Sequence, residues 1–204
     1  MEQDILADRE QFDFLVKENR HQDVVMAKAL AYGSFEDVES AIDSGGNPNA
    51  RMDYGYITPL GIAAARCDAA KTRLLLERGA RITDRERMTP IAYAALYGSQ
   101  AVLKVYIDHG YSMTELEGFP FYSPLSSAVD GDHIDLVKWL IGLGADPNKR
   151  SPDGFLPIDG AIGRLNREMF DYLLPMLTPS RRRSAKKQWE VEEQNLKLRN
   201  ERRG

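Results

Sequence analysis

Residues 132–148 read Asp-His-Ile-Asp-Leu-Val-Lys-Trp-Leu-Ile-Gly-Leu-Gly-Ala-Asp-Pro-Asn and hold the second half of a unit that recurs along the chain. Their apolar side chains recur at the spacing of a helix with one broad apolar face. These side chains are Ile134, Leu136, Val137, Leu140 and Ile141. Gly144 follows them, and glycine tolerates the left-handed conformation that ends many helices. The stretch therefore predicts a helix that ends in a tight turn.

The first half of the unit is marked by a proline that follows a small polar residue. The pairs are Thr58-Pro59, Thr89-Pro90, Ser123-Pro124 and, with leucine in place of the hydroxyl, Leu156-Pro157, at intervals of 31, 34 and 33 residues. Proline is tolerated in the first helical turn, and a preceding hydroxyl can cap the helix. A glycine closes the second half at Gly45, Gly79, Gly110 and Gly144. Each unit is therefore predicted to contain two helices.

This arrangement resembles the ankyrin-repeat family. Thr58-Pro59-Leu60 is similar to the family's first-helix motif, and residues 132–148 are similar to its second helix and its Gly-Ala-Asp turn. The resemblance implies an all-α fold, an ankyrin-repeat solenoid of stacked helix-turn-helix units with short hairpin connecting loops. Five units are expected at 23–50, 51–84, 85–115, 116–149 and 150–180. An N-terminal capping helix is expected at 1–22 and a basic C-terminal helical tail at 181–204.

Composition limits the classes of protein that the chain can represent. Of its 204 residues, 43% are hydrophobic and 28% are charged, which is typical of a soluble globular protein. Cys67 is the single cysteine, so an internal disulfide is excluded. The longest stretch without a charge, residues 88–103, is shorter than the roughly 20 residues that span a bilayer. We therefore expect a cytoplasmic protein without a signal peptide or membrane span, monomeric by default.

Charge divides the chain into an acidic body and a basic tail. The formal net charge is −4, although nine basic and four acidic residues lie in 181–204. An acidic body disfavours general binding to phosphates. The tail cluster consists of Arg181, Arg182, Arg183, Lys186 and Lys187. It could bind nucleic acid or another anionic surface, or it could be a solvated helix whose charges face water or an acidic partner.

Residue patterns for catalysis are absent from the sequence. It contains no HExxH, GxxxxGK[ST] or GxSxG motif, and the glycines at 142–144 follow a predicted helix rather than a strand. Asp130, Asp132, His133 and Asp135 have side chains that can ligate metals, but they fall in a turn between helices where a solvated polar face is the simpler interpretation. We therefore expect neither an enzyme nor a bound metal or cofactor.

One row of equivalent positions lies eight residues after the threonine position that precedes each first helix. Its members are Tyr32, Arg66, Tyr97, Gly131 and Arg164. Tyrosine and arginine are enriched at the energetically important positions of protein interfaces. The row therefore suggests a partner-binding surface, although helix ends that simply carry polar residues would explain part of the pattern.

The predicted connecting loops contain further aromatic residues. They are Tyr54, Tyr56, Phe119, Phe121 and Tyr122, with Phe155 in the fifth unit. A loop at the edge of a repeat stack has little core in which to bury such rings, so an exposed cluster favours a contact surface. The alternative is that some of the rings, Phe155 above all, pack back onto the next hairpin.

The family resemblance implies recognition of a folded protein through the concave face and the hairpin tips. The expected anchors are Tyr54, Tyr56, Tyr97, Phe119, Phe121 and Tyr122, and the residues expected to align charges are Arg66, Arg87, Asp130, Asp153 and Arg164. We expect a non-enzymatic inhibitor or adaptor, by analogy with stand-alone bacterial ankyrin proteins that include immunity proteins neutralising a toxin enzyme. The alternative is a tether that binds nucleic acid or another anionic surface through the basic tail.

Overall fold

The computed structural model describes residues 21–51, 57–82, 88–112 and 123–201. The chain divides into two compact units, unit 1 at residues 1–112 and unit 2 at residues 113–204. The expected capping helix at 1–22 lies outside the described residues except for its last two positions. Within the described ranges the secondary structure is helical, and the only β feature is an isolated bridge at Ile57.

Unit 1 is built from paired helices. The pairs in its described part are α1 (His21–Tyr32) with α2 (Phe35–Asp43), α3 (Pro59–Ala65) with α4 (Ala69–Glu77), and α5 (Pro90–Leu96) with α6 (Gln100–Asp108). The first helix of each pair packs against the first helix of the next, so α1 contacts α3 and α3 contacts α5. The second helices contact one another in the same order, α2 with α4 and α4 with α6. Each pair therefore buries its apolar face against its neighbours.

Unit 2 continues the same design and ends in a long helix. Its described elements are α7 (Pro124–Asp130), α8 (Ile134–Gly142), α9 (Pro157–Arg164), α10 (Arg167–Leu173), a 3-10 turn (Leu174–Met176) and α11 (Pro179–Glu201). Helix α7 pairs with α8 and α9 pairs with α10, while α9 also contacts both α7 and α11. The all-α helix-turn-helix architecture predicted from the repeat is confirmed.

The hydroxyl before each proline caps its helix as the sequence predicts. The hydroxyl of Thr58 accepts the backbone N–H of Gly61 at 3.2 Å, and that of Thr89 accepts the N–H of Ala92 at 3.2 Å. At Leu156 no hydroxyl is available, and the Asp159 carboxylate instead accepts the Leu156 N–H at 2.7 Å. A hydroxyl therefore caps the helices that begin at Pro59, Pro90 and Pro124, whereas at Pro157 a carboxylate binds the N–H of the residue before the helix.

Alanines set the close approach of the first helices. Ala63 and Ala64 of α3 and Ala94 and Ala95 of α5 are completely buried. Because an alanine side chain is a single methyl group, the backbones of α3 and α5 can lie close together. A larger side chain at any of these positions would push the helices apart, with an overpacking cost of about 1 to 3 kcal/mol.

Left-handed residues end the helices. The closing glycines have positive φ angles of 99° (Gly45), 85° (Gly79), 91° (Gly110) and 97° (Gly144). Between the two helices of a pair a second left-handed position is taken by Cys67, Gly98, Asp132 or Leu165. The predicted role of the closing glycines is confirmed, and Cys67 occupies a position where glycine is favoured.

Exchange of Gly144 for alanine is expected to lower the free energy of unfolding by about 1 kcal/mol. A Cβ at Gly144 meets no atom within 4 Å, so the cost arises from its φ of +97° alone. Gly142 is the matched control, because a Cβ there also meets nothing within 4 Å but lies in α8. Gly142→Ala should raise stability by up to about 1 kcal/mol. Urea unfolding measures the stability of both variants. If both substitutions changed the free energy of unfolding in the same direction, the left-handed role of Gly144 would be contradicted.

Two asparagines connect successive turns. The Asn49 side chain donates to the Gly79 carbonyl at 3.0 Å and accepts the Arg81 N–H at 2.8 Å. Asn148 repeats this arrangement in unit 2. Its side chain donates to the Met176 carbonyl at 3.0 Å and accepts the Thr178 N–H. Each asparagine therefore pairs a donor and an acceptor of the next turn, which fixes the spacing between neighbouring repeats.

The tail helix α11 docks on the repeats of unit 2. Ala185 and Trp189 are buried, and the Trp189 ring lies 4.3 Å from the Phe170 ring between centroids. The Arg182 guanidinium donates to the carbonyls of Pro175 at 2.7 Å and Leu177 at 3.1 Å. Helix α11 is therefore part of the packed unit over its first half, and two of its apolar side chains extend the core.

Candidate functional site

The predicted row of tyrosine and arginine residues lies at the ends of the first helices of unit 1. Tyr32 is the last residue of α1, while Arg66 and Tyr97 directly follow α3 and α5. All three are exposed, and the two tyrosines are exposed by 59% and 38%. Because α1, α3 and α5 pack in succession, the three residues occupy one edge of unit 1. We call Tyr32, Arg66 and Tyr97 the row.

Local contacts fix the Tyr97 end of the row. The Cys67 thiol lies 3.6 Å from the Tyr97 carbonyl oxygen and can donate to it, which connects the ends of α3 and α5. Partial burial raises the pKa of the Tyr97 phenol above its usual value, and the neighbouring Cys67 adds a smaller contribution in the same direction. The phenol therefore stays protonated at neutral pH and can both donate and accept a hydrogen bond.

Five predicted anchors and one residue predicted to align charges lie outside the part of the chain that the structure describes. The anchors are Tyr54, Tyr56, Phe119, Phe121 and Tyr122, and the residue predicted to align charges is Arg87. Their assignment to a binding surface therefore stays a prediction from the sequence.

Unit 2 brings together three of the residues expected to align charges. Asp130 ends α7 and Arg164 ends α9, and an Arg164 guanidinium nitrogen lies 3.0 Å from an Asp130 carboxylate oxygen. The same nitrogen lies 3.4 Å from the Gly160 carbonyl oxygen. Asp153 is exposed on the neighbouring hairpin at residues 151–155. Gly131, the fourth member of the sequence row, directly follows α7 and offers no side chain.

A cavity of about 360 Å³ opens beside these residues, and we call it the unit 2 groove. It lies among the end of α7, the hairpin at 151–155, helix α9 and helix α11. Its carboxylates are Asp130, Asp153, Asp159 and Glu192. Its apolar surface comes from Phe155, Leu156, Pro157 and Ile162. The groove therefore combines negative charge with an apolar floor.

Phe155 is the exposed aromatic of this groove. The sequence left open whether its ring packs back onto the next hairpin, and the structure shows a side chain that is 62% exposed. The hairpin that carries it is tightly bonded, because the Ser151 N–H donates to the Phe155 carbonyl at 2.8 Å and the Ser151 hydroxyl accepts the Phe155 N–H at 3.1 Å. The ring is thus presented by an ordered backbone.

Some groove residues escaped the sequence-based prediction. Asp159 was assigned only to the start of a helix, and Gln188 and Glu192 belong to a tail that was predicted from its cations. Gln188 and Glu192 are four residues apart on α11, so they share one helix face. The spacing predicts that the two side chains share a helix face, but the sequence does not show that this face lies beside the hairpin at 151–155.

The cations of the tail fall into two groups. Arg181 donates to the Asn148 carbonyl, and Arg182 donates to two carbonyls at the end of the preceding 3-10 turn. Arg183, Lys186 and Lys187 are exposed. Arg181 and Arg182 therefore hold α11 in place, while Arg183, Lys186 and Lys187 are the exposed members of the tail cluster.

The acidic residues considered as metal ligands each contact a neighbouring side chain. Arg164 pairs with Asp130, the Asn166 amide donates to Asp132, and the Lys138 ammonium lies 3.7 Å from Asp135. Among the residues that the structure describes, no group of three or more His, Cys, Asp or Glu side chains could hold a metal ion. Within the same described ranges no helix is long and apolar enough to cross a membrane.

Helical pairs that stack with equivalent residues at equivalent positions define a repeat protein. The family model described as ankyrin repeats (3 copies) matches residues 25–117, and the one described as ankyrin repeats (many copies) matches residues 125–174. The two matches together cover more than two thirds of the chain. The chain therefore belongs to the ankyrin-repeat family, whose members use their repeats as protein-interaction modules.

Similar curated proteins are much longer than this chain. Alpha-latrocrustotoxin-Lt1a of Latrodectus tredecimguttatus is 28% identical over 60% of this chain and 9% of its own length. Potassium channel KOR1 of Oryza sativa subsp. japonica is 37% identical over 39% of this chain and 9% of its own length. Putative ankyrin repeat protein L371 of Acanthamoeba polyphaga mimivirus is 24% identical over 72% of this chain and 19% of its own length. The chain thus spans less than a fifth of each of these relatives.

Proposed function

We propose that the chain binds a folded protein partner and acts on it as an inhibitor or adaptor in the cytoplasm, without catalysing a reaction itself. The observation that carries this proposal is the row, in which two tyrosines and an arginine are exposed at the ends of successive helices. Tyrosine gains a large contact area at a low cost in side-chain entropy. A row of such side chains on a rigid scaffold fits the recognition of a protein surface.

The hairpin aromatics are proposed as a second set of contact residues. Phe119, Phe121 and Tyr122 surround Pro120, whose ring restricts the backbone and lowers the entropy lost when a partner orders the loop. These hairpin residues are proposed as a further contact with a protein partner, because aromatic side chains in a connecting loop have little core in which to be buried. Interface energy is usually concentrated in a few such aromatic and arginine anchors.

The row can be tested by capture of the partner on the immobilised chain from an extract of the source cells. The triple variant Tyr32→Ala, Arg66→Ala, Tyr97→Ala should lower affinity by about tenfold or more, since interface anchors contribute more than 1 kcal/mol each. The matched control replaces one exposed cation and two exposed apolar residues elsewhere, Lys104, Leu143 and Val191, and should bind normally.

A second triple variant, Phe119→Ala, Phe121→Ala, Tyr122→Ala, tests the hairpin aromatics in the same experiment. If the row variant and the hairpin variant both capture the partner as well as the unchanged chain does, the proposed surface is wrong. Once a partner is isolated, its own activity with and without the chain separates the two roles, because an inhibitor abolishes that activity whereas an adaptor leaves it intact.

A tether for anionic surfaces is the second candidate, and the exposed cations Arg183, Lys186 and Lys187 on α11 favour it. If these three contact phosphates, affinity for a short DNA duplex should fall about 40-fold between 50 and 200 mM salt. Reversal of the three charges to glutamate should abolish that binding. Removal of the tail is a poorer test, because Trp189 belongs to the core of unit 2. Salt-independent binding to the duplex, or binding that survives charge reversal, would exclude the tether.

A further inference from the structure

We infer that the unit 2 groove binds an arginine side chain presented by the protein partner. This inference rests on the proposed function, because it names the chemistry that one part of the partner must carry. The cavity of about 360 Å³ is at the lower end of the range of roughly 300 to 1,000 Å³ found for ligand pockets. That size suits one long side chain rather than a whole helix.

The negative charge of the groove favours a positively charged ligand. Four carboxylates line it, and among the described residues that line it there is no lysine or arginine. Arg164 reaches Asp130 at 3.0 Å, and one Asp159 oxygen accepts a backbone N–H at 2.7 Å. Asp153 on the hairpin and Glu192 on α11 keep their carboxylates for an incoming group. A cation bound in the groove can donate charge-assisted hydrogen bonds to these carboxylates.

The apolar residues of the groove indicate which kind of cation it can bind. Phe155 is 62% exposed at the groove, and a ring face attracts a cation placed over it. Leu156, Pro157 and Ile162 line the same cavity and can cover the methylene groups of a long side chain. A carboxylate cluster without these groups would suit any hydrated cation. The combination of an aromatic ring, apolar side chains and carboxylates suits a guanidinium, which is flat, weakly hydrated and stacks on aromatic rings.

The test uses the full chain and three capped tripeptides, acetyl-Gly-Xaa-Gly-amide with arginine, lysine or citrulline as the central residue. Citrulline has nearly the shape of arginine but no charge. In a ¹H–¹⁵N NMR titration the arginine peptide should shift the amides of Gly154, Phe155, Gly160 and Gly163, and the shifts should saturate. The lysine peptide should bind more weakly, and the citrulline peptide should leave these amides unchanged.

Variants locate the site within the groove. Asp153→Asn and Glu192→Gln should each weaken binding of the arginine peptide by about three- to fivefold, which corresponds to the loss of one partly exposed ion pair. Phe155→Ala should weaken it by about threefold. Glu190→Gln is the matched control, because Glu190 is exposed on α11 but does not line the groove. Equal binding of the citrulline peptide, displacement of the arginine peptide by Ca²⁺, or no effect of Asp153→Asn and Glu192→Gln would overturn the inference.

Different experimental results would contradict the groove assignment and the proposed function. If the partner is captured through the row but the double variant Asp153→Asn, Glu192→Gln captures it equally well, the groove assignment is wrong and the proposed function stands. If the arginine peptide binds the groove but neither the row nor the hairpin variant changes capture, the proposed surface is wrong and the groove stands.

Discussion

Replacement of Trp189 by alanine is expected to lower the free energy of unfolding by about 3 to 5 kcal/mol. Trp189 is 6% exposed, its ring lies 4.3 Å from that of Phe170, and the Arg167 guanidinium lies 5.7 Å from the ring centre. Ala185, one turn earlier, is buried on the same face. Because these contacts hold α11 on unit 2, loss of the indole should both open a cavity and release the helix.

Urea unfolding measures the stability change, and limited trypsin digestion reports release of the helix. Helix α11 carries several trypsin sites, including Lys186 and Lys187 next to the buried face. These sites should be cleaved much faster in the alanine variant than in the unchanged chain. Leu198→Ala is the matched control, since Leu198 is 51% exposed on the same helix and its loss should cost less than about 0.5 kcal/mol.

The phenylalanine variant of the same position separates ring packing from hydrogen bonding. The Trp189 indole N–H is buried and has no hydrogen-bond acceptor among the described residues. Trp189→Phe keeps an aromatic ring against Phe170 and removes this polar group, so it should cost about 1.5 kcal/mol or less. If the alanine variant were within 1 kcal/mol of the unchanged chain, α11 would not be docked as described.

Replacement of Lys71 by methionine is expected to lower the free energy of unfolding by about 2 to 3 kcal/mol. Lys71 is 8% exposed, and its ammonium donates to the Gly33 carbonyl at 2.7 Å and the Ala29 carbonyl at 3.5 Å. It also lies 3.4 Å from the Asp68 carboxylate. Methionine fills the same volume but leaves the carbonyls at the end of α1 without this donor.

The control for this variant is a lysine of the same helix type in the next repeat. Lys104 on α6 is exposed, so Lys104→Met should change stability by less than about 0.5 kcal/mol. Both variants remove one positive charge, so a difference between them isolates the buried contacts from a general charge effect. Equal unfolding midpoints in urea for the two variants would show that Lys71 contributes nothing specific.

The repeat pattern was sufficient to predict most of the fold. A proline can begin a helix but cannot lie within one, and a closing glycine requires a positive φ, so these residues determine the helix boundaries locally. Thr58, Thr89 and Gly144 illustrate this, because each adopts the predicted conformation through contacts with residues close in sequence. Local rules of this kind are visible in the sequence without knowledge of the tertiary structure.

Lys71 shows what those rules cannot predict. It takes a position in its helix that Val102 and Leu136 take in later repeats, where both side chains are buried. From the sequence alone, a lysine at this position would be predicted to be exposed. It is buried because the end of α1 supplies carbonyl acceptors that lie 38 and 42 residues earlier in the chain. Only the packed structure places these acceptors beside the ammonium.

The unit 2 groove was likewise only partly predictable. Asp130, Asp153 and Arg164 were predicted to align charges at the concave face and the hairpin tips, and the structure brings all three to one region of unit 2. Glu192 was not selected, because the basic residues at 181–187 dominate the composition of the tail. Its place in the groove depends on the docking of α11, which is a contact between segments distant in sequence.

Helix α11 contributes both to the packing of unit 2 and to the lining of the unit 2 groove. One side of this helix seals the last repeat through Trp189, while another side, with Gln188 and Glu192, forms a wall of the groove. A change that loosens the seal should therefore also change the shape of the groove without replacing any residue that lines it. Substitutions at Phe170 or Ala185 are thus expected to weaken the proposed binding of arginine as well as the stability of unit 2.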